Sequence, residues 1–154
     1  MASRTVIKVG DYFEIPLKDG RFAYCRLLHR GELGFLVQVF NLFRTTSPAS
    51  TEELRNALPL FPPVFVGLLA TVRSGRRKKI GNVPVTCFAH PKFRQTMGTK
   101  PGTYNDWTIW DGLKTLKIGR LPVDYRSLEL KCVWGDEGLE ERILQGSYRG
   151  SHML

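Results

Sequence analysis

Phe13-Glu14-Ile15-Pro16-Leu17, Lys18-Asp19-Gly20 and Arg21-Phe22-Ala23-Tyr24-Cys25-Arg26-Leu27-Leu28 form the stretch that decides the fold class. Phe13, Ile15 and Leu17 recur at every second residue, and Phe22, Tyr24 and Leu28 alternate with smaller or polar residues. A period of two belongs to a strand with one face toward a core, and a Lys-Asp-Gly turn between two such strands makes a hairpin. A second turn over His29-Arg30-Gly31-Glu32 and the run Phe35 to Phe40 add a third strand. The first forty residues therefore read as an antiparallel meander, which curls readily into a small barrel.

Working outward, Thr45 to Thr51 is a polar loop in which Ser50 or Thr51 can cap a short helix from Glu52 to Leu58. Its acidic pair, Glu52 and Glu53, suits the positive end of a helix, and Pro59, Pro62 and Pro63 stop it. The apolar run Val64 to Val72 predicts a buried strand, followed by a basic turn and a further strand near Val83 to Phe88. Pro91 to Asn105 has few periodic apolar residues and reads as an irregular surface loop. Trp107, Ile109, Leu116 and Ile118 mark a half-buried region. Leu128, Leu130, Cys132 and Trp134 alternate as one late strand, and Leu139 to Gln145 predicts a last short helix. The expected fold is mostly β (α+β): a curled antiparallel meander or an SH3-like small barrel with one or two short helices, in a single domain over residues 1–149. Gly150-Ser151-His152-Met153 matches a tetrapeptide that cloning vectors leave, so residues 150–154 are set aside as a vector-derived or disordered tail.

With 154 residues, 42% of them hydrophobic, the chain has the size and apolar content of one continuous core, and its formal charge of +9 favours anionic partners. The longest apolar run is interrupted by Gly67 and is far too short to span a bilayer, and Met1 to Val6 lacks the pattern of a secretory signal. A cytoplasmic protein is expected. Cys25, Cys87 and Cys132 are odd in number and widely spaced, which predicts buried reduced thiols rather than disulfides or a zinc site. His29 and His90 read as surface residues, too few for a multi-histidine metal site.

Carboxylates at Asp11, Glu14 and Asp19 are explained by turn formation and solvation around the first hairpin, and Asp136, Glu137, Glu140 and Glu141 by the start and face of the terminal helix. No phosphate-cradling glycine motif occurs; Gly98-Thr99-Lys100-Pro101-Gly102 has the wrong spacing. The chain is accordingly read as a binding protein and not an enzyme, with no catalytic residues, no cofactor and no metal.

Two groups of residues are candidates for partner binding. Arg73, Arg76, Arg77, Lys78 and Lys79 place five cations in seven positions, at what reads as a hairpin tip between two strands. Tyr104, Trp107 and Trp110 cluster where a loop meets a strand, and such aromatics anchor protein interfaces. Trp107 and Ile109 share one strand face while Trp110 takes the other, so one tryptophan is expected to be buried and one at least partly accessible.

The residues Val9-Gly10-Asp11-Tyr12-Phe13-Glu14-Ile15-Pro16-Leu17, followed by Asp19-Gly20-Arg21-Phe22-Ala23-Tyr24-Cys25-Arg26, resemble the opening of the immunity protein 26 family of bacterial polymorphic toxin systems. Ile118-Gly119-Arg120-Leu121-Pro122, Val133-Trp134 and Glu141-Arg142-Ile143 are similar to that family's later landmarks, so the resemblance runs from about Val6 to Gln145. It implies a mostly β protein, encoded beside a toxin, that protects the producing cell by binding that toxin. It supplies no catalytic residue and does not locate the interface. A basic nuclease would be repelled by a chain of this charge, so the expected partner is a toxin domain with an acidic or mixed face, bound 1:1 by a monomer, without a membrane. The alternative is a nucleic-acid-binding or ribosome-associated SH3-like module, whose binding would fall steeply with salt.

Overall fold

Residues 6–97 and 105–146 are described by a computed structural model of the chain. Asp11–Pro16 (β1) and Phe22–Gly31 (β2) form the expected hairpin, with Phe13 opposite Cys25 and Glu14 opposite Tyr24. The second turn is tighter than expected: β2 runs on to Gly31, and Gly31 pairs with Gly34 at the start of Gly34–Val39 (β3). Five of the six residues of β1 are buried, so the strand has apolar material on both faces rather than one.

One face of the sheet gathers Phe13, Ile15, Ala23, Cys25, Leu27, Val37 and Val39, and the other carries Tyr12 and Tyr24 beside Phe40, Ala49 and Leu54. Leu54 belongs to the helix Thr51–Asn56 (α1), whose cap is Ser50: its Oγ accepts the Glu53 N–H at 3.2 Å. Leu139 and Ile143 of Asp136–Gln145 (α3) complete the first face. Burial on this scale is the dominant favourable contribution to folding.

The chain between these helices departs from the sequence reading. The run Val64 to Val72 is not one strand: Val64–Val66 (β4) pairs with β3, and after Gly67 the chain turns into the short helix Leu69–Arg73 (α2). The following strand lies at Lys78–Asn82 (β5), paired antiparallel with β1, and not at Val83 to Phe88. Val83 makes one more backbone bond, to Gly10 O at 3.1 Å. Pro84 then supplies no N–H with which pairing could continue. The late strand also divides: Glu129–Leu130 (β9) and Val133–Trp134 (β10) join different sheets.

The described residues fall into two compact units, one of residues 6–88 and 133–146, the other of 89–97 and 105–132. The first holds a six-stranded sheet in the order β10-β4-β3-β2-β1-β5, antiparallel except where β10 lies parallel to β4. It is open and forms no closed barrel, because its outer strands, β5 and the two-residue β10, are not bonded to each other. The second unit holds Phe93–Gln95 (β6), Trp107–Trp110 (β7) and Thr115–Gly119 (β8) with β9, in the order β8-β7-β6-β9. A strand with two buried residues, Phe93 and Arg94, thus stands where an irregular surface loop was expected. The fold class is mostly β, as read from the sequence, with three short helices among the described residues where one or two were expected.

Candidate partner-binding face

The basic stretch is a helix-to-strand junction, not a hairpin tip. Arg73 is the last residue of α2, Ser74 caps it, and Lys78 and Lys79 open β5. This geometry divides the five cations. Arg77 turns inward to 2% exposure, where its Nη2 donates to Asp136 Oδ1 at 2.6 Å. Arg76 meets the other oxygen of the same carboxylate at 2.8 Å with most of its side chain in solvent. Lys79 Nζ lies 3.1 Å from the buried Asp11. Arg73 and Lys78 are exposed. Asp136 stands in the first turn of α3, where the helix dipole favours a carboxylate. Between the end of β1, the junction and α3 lies an open groove of about 330 Å³ that presents both charges, with Lys18, Arg76, Glu137 and Glu140 on its walls.

The carboxylates of β1 are not solvated turn residues. Asp11 is fully buried and accepts from Lys8 N–H and Asn82 Nδ2, each at 2.7 Å, as well as from Lys79. Glu14 is buried as well and accepts from Ser47 Oγ at 2.6 Å and Tyr24 Oη at 3.1 Å. Burial first, and the Glu14 charge second, push the Tyr24 hydroxyl up to about 12. These groups pin β1 between its neighbours; the position of Glu14 between Phe13 and Ile15, and of Asp11 in phase with them, is the only sequence sign of their placement.

Trp107 and Trp110 are 2% and 7% exposed, so neither is accessible. Trp107 packs with Ile109 and Leu121 under the Arg94 guanidinium, and Trp110 lies edge-on to His90 with Lys131 Nζ 4.6 Å from its ring centre. Both faces of β7 are covered, which alternation along one strand does not disclose. Tyr104 lies outside the described residues. Among the apolar groups that reach solvent in this unit are Leu113, which the sequence reading passed over, and Leu116, which it placed in a half-buried region; both lie on the β7–β8 hairpin. The only sequence signal for Leu113 is its place directly after an Asp-Gly turn.

Of the cysteines only Cys25 is buried, its thiol pushed up to about 11 by burial; Cys87 and Cys132 are exposed. His29 belongs to β2 and stacks on Phe88 with ring centres 4.9 Å apart. Among the described residues no three His, Cys, Asp or Glu side chains gather as a metal site, and no helix is long and apolar enough to cross a membrane.

The model of the family described as immunity protein 26 matches residues 8–103. The chain belongs to the immunity protein 26 family. Curated proteins and solved structures gave no match. The region matching the immunity protein family holds the first hairpin, the buried Asp11 and Glu14, and the whole basic junction. The later segments that resemble the family, Ile118 to Pro122, Val133-Trp134 and Glu141 to Ile143, lie beyond the matched residues.

Proposed function

We propose that this member of the immunity protein 26 family binds a cognate bacterial toxin domain and neutralises it by direct contact, without chemistry of its own. The observation that carries the reading is the family match over β1 to β5, five of the six strands of the sheet in the first unit. The partner-facing cations are Arg73, Arg76 and Lys78, which are exposed on one short junction, with Lys79 beside them. Arg77 holds that junction to α3 from inside, and Trp107 and Trp110 pack on opposite faces of β7 within their own unit rather than touching the toxin. A chain of charge +9 favours a toxin with an acidic or mixed face, in a 1:1 complex.

The test is co-purification of the tagged chain from its native bacterium, with mass spectrometry of what survives a wash at high salt. A toxin domain retained at equal stoichiometry is the expected result. Recovery of nucleic acid or ribosomal proteins alone, lost in the wash, would overturn the reading in favour of a nucleic-acid-binding module, because phosphate contacts weaken steeply with salt.

A further inference from the structure

The turn between β7 and β8 is built to hold an apolar side chain out in water. Asp111 Oδ1 accepts the N–H groups of Leu113 at 2.9 Å and Lys114 at 2.8 Å, and Asp111 N–H donates to Lys114 O at 3.2 Å. Gly112 has φ +99°, and a Cβ there would fall 2.6 Å from the His90 ring. The turn is therefore fixed from both sides, and what it presents is Leu113 at 92% exposure. A large side chain held open on a rigid tip forgoes burial that a partner's pocket can supply.

The strand after the turn has the same character. Among the described residues β8 is hydrogen-bonded to β7 alone, so one edge of its backbone is unbonded. Lys114, Thr115, Leu116 and Lys117 are all exposed, Leu116 at 59%. From Gly112 to Arg120 the stretch carries three cations, Lys114, Lys117 and Arg120, and no carboxylate. Unpaired strand edges recruit other strands, and charges along them decide which. A second copy of this chain would bring the same cations to the same edge and be repelled. An acidic strand is attracted.

We propose that the β7–β8 hairpin is a docking edge for an extended acidic segment of a partner protein, which adds to β8 as a fifth strand while Leu113 enters an apolar pocket on that partner. Strand addition uses backbone hydrogen bonds for affinity and alternate side chains for selection, which this edge offers as lysines and one leucine. The inference rests on the reading of the chain as a toxin-binding protein and names the chemistry of the segment it takes.

The test uses the full chain, isotopically labelled, and a capped synthetic peptide of alternating Glu and Val about seven residues long, set against its Lys-for-Glu counterpart. The acidic peptide is expected to shift the amides of Thr115–Gly119 and slow their hydrogen exchange, and the basic one to leave them unchanged. Lys114→Glu with Lys117→Glu, both at exposed positions, inverts the preference, with a change of about tenfold in each affinity. Equal response to both peptides, shifts confined to another edge such as Lys78–Asn82, or silence of both peptides at about 1 mM overturns the proposal. Recovery of a toxin in the co-purification beside a silent β8 overturns this edge and leaves the immunity reading standing. A responsive β8 with no toxin recovered supports the edge and removes that reading.

Discussion

Arg77 carries a charge into the interior of the first unit and has one ionic partner there, Asp136, while among the described residues its Nε and Nη1 have no hydrogen-bond partner. Breaking a buried pair from one side leaves a charge uncompensated, whereas replacing the buried member by an apolar side chain of similar volume costs little. Asp136→Ala is therefore expected to destabilise the protein by about 2–3 kcal/mol, and Arg77→Met by less than about 1 kcal/mol, since Arg76 still neutralises Asp136. Urea unfolding of the two variants checks the order; a larger loss for Arg77→Met would show that the guanidinium's packing, not its charge, matters. Tyr24 and Cys25 titrate abnormally in the same sheet. Both are acids held neutral by burial, raised to about 12 and about 11, so the folded state keeps protons that the unfolded chain releases from pH 9 upward. Their contribution is complete below the unfolded values and is lost as pH rises through 9 to 12. Tyr24→Phe is expected to flatten the upper part of that decline, between pH 10 and 12, in unfolding midpoints measured against pH. Cys25 was read as buried from the sequence, but the inward turn of Arg77 was not legible: a basic run reads as solvated, and only the carboxylate waiting 59 residues away in α3 turns Arg77 inward.

Elements were legible wherever side-chain periodicity and local chemistry agreed. The first hairpin has period two and an Asp-Gly turn, and α1 has Ser50, two acidic residues and a proline stop. Removing the cap hydroxyl by Ser50→Ala should cost about 1 kcal/mol, measured as a lower thermal midpoint with an unchanged fold. Where a segment's placement depended on backbone pairing alone, the sequence was silent. β5 consists largely of charged and small residues and is a strand because β1 offers it a backbone edge, with Lys79 drawn to Asp11. Val64 to Val72 is apolar at every phase except Gly67 and Thr71, so its pattern fits a strand or a helix and contains one of each. Leu128, Leu130, Cys132 and Trp134 keep a period of two, yet the chain changes sheet between Leu130 and Val133. Gly10 shows the reverse case, a single residue that fixes an element: at φ +95° its added Cβ would meet Val83 O at 2.5 Å. Gly10→Ala is expected to cost about 2 kcal/mol or more and to release the β1–β5 edge first, seen as faster amide exchange in Lys78–Asn82 than in β2.

For the whole molecule, charge and exposure give the two proposed contact regions, one in each unit, different kinetic roles. The sequence grouped five cations, of which the fold turns Arg77 inward, offered as anchors two tryptophans that are buried, and passed over Leu113, because exposure is a tertiary property that no window of residues carries. Arg73, Arg76 and Lys78 are surface charges, and such charges steer encounter more than they hold a formed complex. Reversing all three to Glu, at two charges each, takes the formal charge from +9 to +3. Against a toxin with an acidic face, association is expected to slow by about tenfold or more at low salt, with a shallower salt dependence and nearly unchanged dissociation. Leu113→Asp is expected to do the opposite, leaving association within about twofold and speeding dissociation about tenfold, because a desolvated apolar anchor acts after encounter. Surface-captured toxin domain, read for both rates across a salt series, separates the two. If the triple reversal changes dissociation and not association, the junction lies inside the contact rather than around it; if it changes neither, the toxin binds elsewhere and the basic junction serves solubility alone.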